Sequence, residues 1–225
     1  MAAPLGTRLL YYFTGFGIGI IFVIFFFQNR GCTWTPNNRV KQAIVDRVIV
    51  INDDLKAEMD KRGITKEMIK KVIDKGNIDF KNSKKTGDPK VYTLYNDVLK
   101  LNFSLPESSY ITEVSIGFNT ATKFKNSTQG EAELYLFPAE ERLLYIDSIT
   151  TGTAEYIQLG SPDNKAILKA LKKDGKVNFE KSNYKALPKA EHYLTCTINN
   201  QRVGMKTFWY KDRINIFFLE LLQKE

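Results

Sequence analysis

The chain has 225 residues, of which 33 are Lys or Arg and 25 are Asp or Glu, and its formal net charge is +8. Because 43% of the residues are hydrophobic and 12% are aromatic, the chain can fill a core, which excludes wholesale disorder. With two cysteines and one histidine, it has neither a disulfide framework nor a His-rich metal or catalytic site. We therefore expect no catalytic, metal-binding or cofactor-binding residues.

The first element in the chain is a run of 19 uncharged residues, 9–27, bounded by Arg8 and Arg30. A helix of that length spans about 28 Å, close to the roughly 30 Å of a bilayer's hydrocarbon core. A cleaved signal peptide would have a shorter apolar region ending in small residues. The sequence therefore predicts an uncleaved single-pass anchor over residues 1–30, followed by a juxtamembrane segment over 31–46.

Three glycines, Gly15, Gly17 and Gly19, lie inside this run. Gly15 and Gly19 have the spacing that lets a second helix approach closely, so they are candidates for packing against an integral membrane partner. Chance is the alternative, since glycine is common in transmembrane helices. More Lys and Arg residues follow the anchor than precede it, which favours a cytoplasmic C-terminal part on a bacterial inner membrane.

After the anchor, the apolar residues 48–51 predict a strand. Asn52, Asp53 or Asp54 can cap a following helix that ends near Arg62 and Gly63. Thr65 can cap a second helix that ends at Gly76. We expect Gly76 and its counterpart Gly175 to adopt the left-handed conformation that favours glycine.

The chain contains an internal similarity between residues 66–83 and 165–182, which align without a gap. Five positions are identical, and the apolar positions also correspond. Strand–turn–strand patterns follow each segment, with Asn96 and Asp97 or Asn199 and Asn200 at the turns. The second segment lacks a clear helical pattern over 150–160, so the counterpart of the first helix is expected to be lost there.

We expect an α+β fold: one transmembrane helix followed by two tandem small α+β modules with antiparallel sheets. The first module would span residues 47–137, including an acidic stretch that alternates like further strands, and the second would span 138–225. The modules would share one continuous sheet. His192 stands beside a strand start without a nucleophile motif nearby, so we expect a surface or edge residue.

Two further signals depend on the compartment. Cys32, at the membrane boundary, could be acylated or remain a free thiol. Asn102 and Asn126 stand in glycosylation sequons, which matter only in a secretory compartment. Labelling of Cys196 from either side of the membrane would be a test of topology.

The basic charge is concentrated in the two similar segments. Their lysines lie opposite the apolar stripe of each predicted helix and are candidates for binding phosphate or an acidic partner. The alternatives are contact with anionic lipid and a merely solvated face. The candidate residues are Lys66, Lys70, Lys71, Lys165 and Lys169.

Residues 8–104, and more weakly the second segment, resemble uncharacterised bacterial single-pass membrane proteins that carry the domain of unknown function 4258. The resemblance includes an M-x-x-R-G-I element at Met59, Arg62, Gly63 and Ile64. More distantly, that domain is similar to RelE-type and BrnT-type ribonuclease toxins, which implies a compact α+β fold. Soluble members often carry His and Arg where this chain has Asp54 and Glu58, so the resemblance favours binding over nuclease activity.

The sequence thus predicts a non-catalytic, membrane-anchored interaction protein, an accessory or docking subunit of a bacterial inner-membrane complex. The alternative is a module that binds RNA or the ribosome, or a degenerate ribonuclease, tethered to the membrane. RNA is a possible partner only if the C-terminal part is cytoplasmic.

Overall fold

A computed structural model of the chain describes residues 4–29, 35–117, 127–138, 143–210 and 213–223. The chain forms two compact units, Met1–Gln42 and Ala43–Glu225. The first contains the helix α1 (Leu5–Asn29) and most of α2 (Pro36–Val45). The larger unit contains the remaining elements.

Helix α1 matches the apolar run that the sequence predicts to be an anchor. Its segment Leu5–Phe25 has a mean hydropathy of 1.8, and none of the segment is buried inside the chain. By length and composition α1 can cross a membrane, although a signal sequence has the same properties.

The larger unit is a mixed α/β domain with mostly antiparallel strands. Its helices are α3 (Asp53–Arg62), α4 (Lys66–Lys75), α5 (Ser148–Thr151), α6 (Ala154–Gln158) and α7 (Asn164–Asp174). The strands before α5 are β1 (Val48–Asn52), β2 (Asn77–Ile78), β3 (Lys90–Tyr95), β4 (Lys100–Leu105), β5 (Ile111–Ile116), β6 (Glu131–Leu136) and β7 (Leu143–Ile146). The last four are β8 (Lys176–Asn183), β9 (Glu191–Ile198), β10 (Gln201–Trp209) and β11 (Arg213–Leu222).

These strands form one sheet in the order β2-β3-β4-β5-β1-β6-β8-β9-β10-β11-β7. The five strands before β6 and the five after it have the same arrangement. In each half, four strands form an antiparallel meander, β2 to β5 in the first half and β8 to β11 in the second. A fifth strand, which comes earlier in the chain, lies parallel to the last strand of the meander: β1 beside β5, and β7 beside β11. Strand β6 joins the halves by pairing antiparallel with both β1 and β8.

The helices of the two halves lie on opposite faces of this sheet. Strands β1 and β7 run in opposite directions while the strand order repeats, so the halves are related by a half-turn about an axis in the sheet. The contacts of strand β6 show that helices from different halves cover the two faces of the sheet. Glu133 is paired with Lys56 of α3, and the ring of Tyr135 lies 5.1 Å from Lys66 Nζ of α4. The intervening Ala132 and Leu134 share a core cluster with α7.

Strand β1 lies between these two layers, which explains its uninterrupted apolar sequence. Val48, Ile49, Val50 and Ile51 are each at most 2% exposed. Val48 and Val50 belong to the core cluster that includes Ile167 and Leu171 of α7, whereas Ile49 and Ile51 do not. A strand covered on both faces has no solvent-facing positions for polar residues.

The helix boundaries of the first half confirm the predicted caps. The Asn52 side chain accepts a hydrogen bond from Leu55 N–H, and Gly63 ends α3 with a φ of 66°. Thr65 caps α4 through Met68 N–H. These side chains satisfy backbone donors that have no partner within the helix.

The predicted left-handed conformation of Gly76 and Gly175 is wrong. Their φ angles are −68° and −64°, in extended backbone. Glycine is required for a different reason, because a Cβ at either position would lie 2.3 Å from the carbonyl oxygen four residues earlier, that of Val72 or Leu171. The backbone N–H of each glycine donates a hydrogen bond to that carbonyl oxygen. The chain therefore turns tightly around the helix end and leaves no space for a side chain.

The expected loss of helical structure over 150–160 is also wrong. Two short helices, α5 and α6, occupy this region, capped by Asp147 and Thr153. Each is at most five residues long, too short to show a helical period in the sequence.

A serine holds the same position in each half. Ser83 Oγ donates to Asp79 O over 2.6 Å and accepts from Thr93 N–H over 3.0 Å. Ser182 Oγ donates to Asn178 O over 2.6 Å and accepts from Tyr193 N–H over 2.9 Å. Both serines therefore fasten the segment after the helix to the second strand of the meander, β3 or β9. The predicted turn at Asn199 and Asn200 is confirmed, with φ angles of 48° and 64°.

Candidate interaction surfaces

The glycines of α1 leave one side of the helix without bulk. Gly15 and Gly19 are exposed and lie one turn apart, and a Cβ built on either would meet nothing within 4 Å. Gly17 lies on a different side of the helix, because the direction of a side chain around the helix axis rotates by about 200° over two residues. The pair Gly15 and Gly19, rather than all three glycines, thus forms the predicted contact strip.

Helix α4 presents the first group of predicted lysines to solvent. Ile69, Val72 and Ile73 are buried against the sheet, while Lys66, Lys70 and Lys71 are exposed. Lys66 also packs its ammonium group on the face of Tyr135, an arrangement that anchors one end of the lysine row.

Helix α7 presents the second group. Ile167 and Leu171 are fully buried, and Lys165 and Lys169 are exposed one turn apart. Since α4 and α7 lie on opposite faces of the sheet, the two lysine groups point in opposite directions. No single flat surface can contact both groups at once.

A basic and aromatic cluster that sequence reasoning missed lies where the halves meet. Lys189 Nζ is 5.7 Å from the ring centre of Tyr110 and 4.8 Å from that of Tyr210. Two arginines lie over the same two rings, with Arg47 Cζ 5.4 Å from the ring centre of Tyr110 and Arg213 Cζ 5.0 Å from that of Tyr210. These residues come from distant parts of the chain, so no local spacing could have indicated the cluster.

Arg47 is fixed by more than this stacking. Its guanidinium donates to the carbonyl oxygen of Pro106 over 2.8 Å and also to that of Ser109. Burial lowers the pKa of Arg47, and the nearby Tyr110, Asp46 and Asp88 oppose that change. Arg47 thus tethers the loop between β4 and β5 to the start of β1.

The prediction that His192 is a surface or edge residue is wrong. Its side chain is fully buried, with its ring 5.1 Å from that of Tyr184 and 5.6 Å from that of Trp209. Nε2 is 3.1 Å from Ser109 Oγ, and no group in the described part of the chain partners Nδ1. Burial lowers the pKa of His192 to about 3, so the ring is neutral at physiological pH.

Two half-buried polar groups lie nearby: Tyr184, whose ring contacts this histidine, and Glu113, which lies near Tyr184. Burial raises the pKa of Glu113, although the carboxylate accepts hydrogen bonds from the N–H and the hydroxyl of Ser127. Burial and the nearby Glu113 also raise the pKa of Tyr184.

Two of the residues whose role depends on the compartment, Asn102 and Cys196, lie in described parts of the chain. Asn102 is 1% exposed and its side chain accepts from Thr93 Oγ1 over 2.7 Å, so the folded chain offers no glycosylation site there. Cys196 is fully buried, and burial raises its thiol pKa to about 12. It is therefore unsuited to the labelling test suggested by the sequence. Cys32 and Asn126 lie outside the described residues.

A cleft of about 610 Å³ opens beside β8, β9 and β10. Two of its lining charges have partners nearby, since Glu131 lies 3.7 Å from Lys176 Nζ and Arg202 lies 3.4 Å from Asp174. The third, Lys181, places its Nζ 4.9 Å from the ring centre of Tyr193. Within the described residues, no group of His, Cys, Asp or Glu is arranged to hold a metal ion.

No family model, curated protein or solved structure matches this chain.

Proposed function

We propose that this chain is a non-catalytic, membrane-anchored interaction protein, an accessory or docking subunit of a bacterial inner-membrane complex. The observation that carries the proposal is the largely apolar 21-residue segment Leu5–Phe25 of α1, none of which is buried within the described part of the chain. At about 32 Å, this segment matches a bilayer's thickness and needs an apolar environment that the chain does not supply.

The exposed strip of Gly15 and Gly19 supports an integral membrane protein as the partner of α1. Two helices that meet at small residues approach closely, and van der Waals contacts then stabilise their association in lipid. The C-terminal part is proposed to lie in the cytoplasm, since the positive residues Arg39 and Lys41 follow α1.

The environment of His192 supports binding rather than catalysis. It is the chain's only histidine, and it is buried and neutral, so it can neither reach a substrate nor exchange protons with one near pH 7. The basic groups with access to solvent are lysines and arginines, which suit docking to an anionic partner.

We further propose that the larger unit arose by duplication of one small α+β module. The repeated strand order supports this, as do the matched serine bridges and the glycines at the ends of α4 and α7. Each copy contributes one lysine-bearing helix, and the half-turn between the copies gives the protein two separate basic docking surfaces.

RNA or the ribosome is the second candidate partner, favoured by the exposed lysines and the cluster around Lys189. RNA binding is also what the resemblance to RelE-type modules implies, and the same resemblance suggests a degenerate nuclease. Binding through phosphate neutralisation would weaken steeply with salt.

Mild detergent extraction followed by copurification tests the docking proposal. A partner should be retained by the wild-type chain and by Gly17→Leu, but lost by the double variant Gly15→Leu and Gly19→Leu. A wild-type chain that purifies without any other protein would contradict the proposal. Binding of purified RNA without cleavage, abolished by Lys165→Glu and Lys169→Glu, would favour the second candidate instead.

A further inference from the structure

The sheet ends at β7, whose outer edge pairs with no strand in the described part of the chain. The corresponding strand in the first half is β1, which lies parallel to β5 as β7 lies parallel to β11. Beside β1, however, that outer place is occupied by the antiparallel strand β6. The second half therefore lacks the neighbour that the first half has.

Backbone hydrogen bonds show which groups this edge presents. Val48 N–H donates to Tyr110 O over 3.0 Å, and Asp147 N–H donates to Ile216 O over 2.8 Å. Successive residues of a strand direct their N–H and C=O groups to alternate edges. Ile49 and Ile51 consequently face β6, and Leu144 and Ile146 direct their backbone groups away from β11.

Strand β7 lacks the side chains that usually block pairing at a sheet edge. Leu143–Ile146 is short, but it contains no charged residue and no proline, two of the devices that blunt an edge strand. The helices that follow β7 also carry apolar side chains in solvent, Ile149 at 79% exposure and Ile157 at 62%. An edge with open backbone groups beside exposed apolar side chains is suited to strand addition.

We propose that β7 pairs antiparallel with β7 of a second copy of this chain. An antiparallel strand fits this place because β6 has that direction beside β1. The composition also fits, since β6 contains Leu134, Tyr135 and Leu136 where β7 contains Leu144, Tyr145 and Ile146. A strand that pairs antiparallel with itself generates a twofold axis and a closed dimer.

The register follows if both outward-facing residues of each strand, Leu144 and Ile146, form hydrogen bonds across the pair. Leu144 lies opposite the partner subunit's Ile146, and these two residues exchange both hydrogen bonds. Tyr145 lies on the twofold axis, opposite the partner's Tyr145, in a position without hydrogen bonds between the two residues. Such directly opposed residues have Cα atoms about 4.5 Å apart.

Cross-linking of the full chain in mild detergent tests this register. In a Cys32→Ser background, Tyr145→Cys should form a disulfide-linked dimer on oxidation, with twice the 25.8 kDa of one chain. Leu144→Cys is the matched control, since the two engineered thiols would lie diagonally and should cross-link far less. The absence of cross-linking by Tyr145→Cys, or equal cross-linking by both variants, would overturn the proposal.

A second experiment removes one outward N–H. Leu144→Pro should elute as a monomer, whereas Leu144→Val, which keeps the N–H, should remain a dimer by light scattering. Protection of Cys196 from thiol reagents in the Cys32→Ser background reports that the variant is folded. A folded Leu144→Pro chain that stays dimeric contradicts the pairing; if that variant unfolds, the cross-linking result decides. Neither readout depends on a different protein copurifying, so this proposal and the docking proposal can fail separately.

Discussion

Ser109 Oγ and His192 Nε2 lie 3.1 Å apart although 83 residues separate them in the chain. Ser109 lies just before β5 and His192 lies in β9, on different halves of the sheet. The serine hydroxyl also accepts from Ile111 N–H over 3.0 Å. One buried contact thus ties the two halves together at the only histidine in the sequence.

This contact predicts that the protein loses stability as pH falls. The pKa of His192 is about 3 in the folded state against an ordinary 6.5, so below pH 6.5 the unfolded state binds a proton that the folded state does not. The free energy of unfolding should fall by about 1.4 kcal/mol per pH unit, or about 2 kcal/mol from pH 6.5 to 5.

Urea unfolding of the chain in detergent, followed by circular dichroism at each pH, measures this slope. In His192→Gln, the free energy of unfolding should lose the share of its pH dependence that comes from the histidine, while the share from other titrating groups stays the same. An equal slope for the wild type and His192→Gln would show that the histidine is not responsible.

The matched serines predict matched losses of stability. Ser83→Ala leaves Thr93 N–H without its side-chain acceptor, and Ser182→Ala does the same to Tyr193 N–H. Each change should lower the free energy of unfolding by about 1–3 kcal/mol. Because the sites share no partners, the double variant should show the sum of the two losses. A loss in only one of the two would argue against equivalent roles.

Alanine substitutions at two helix-end glycines, Gly76 and Gly63, are expected to destabilise the fold to different extents. Gly76→Ala places a Cβ against the carbonyl of Val72 and should destabilise the fold by about 2–3 kcal/mol. Gly63→Ala meets no atom within 4 Å and suffers only from its positive φ, so a cost of about 1 kcal/mol is expected. Thermal unfolding of both variants compares them, and the reverse order would contradict this explanation.

The topology of the anchor predicts where an exposed thiol can be labelled. Val98 is 75% exposed at the turn between β3 and β4, whereas Cys196 is buried. In a Cys32→Ser background, Val98→Cys should react with a membrane-impermeant maleimide only after the inner membrane is opened. The parent with Cys196 alone serves as the control and should stay unlabelled. Labelling of intact spheroplasts at position 98 would place the larger unit outside the cytoplasm.

Local patterns predicted the parts of the fold that depend on neighbouring residues. The caps at Asn52 and Thr65 and the turn at Asn199 were recognisable because a side chain or a left-handed residue acts within a few positions. The left-handed prediction at Gly76 failed because the requirement there is space beside the Val72 carbonyl. His192 was misplaced because its burial depends on Tyr184, Trp209 and Ser109, which lie in other elements.

The sequence by itself determined an apolar helix, two similar segments and two lysine-bearing helices, since each is encoded by composition or by a helical period. Tertiary structure alone decided how those helices are arranged. The half-turn between the two halves places α4 and α7 on opposite faces. Strand β6 pairs beside β1 and has no counterpart beside β7, which therefore ends the sheet. Strand direction and strand order arise from pairing between distant residues, which no local pattern of the chain encodes.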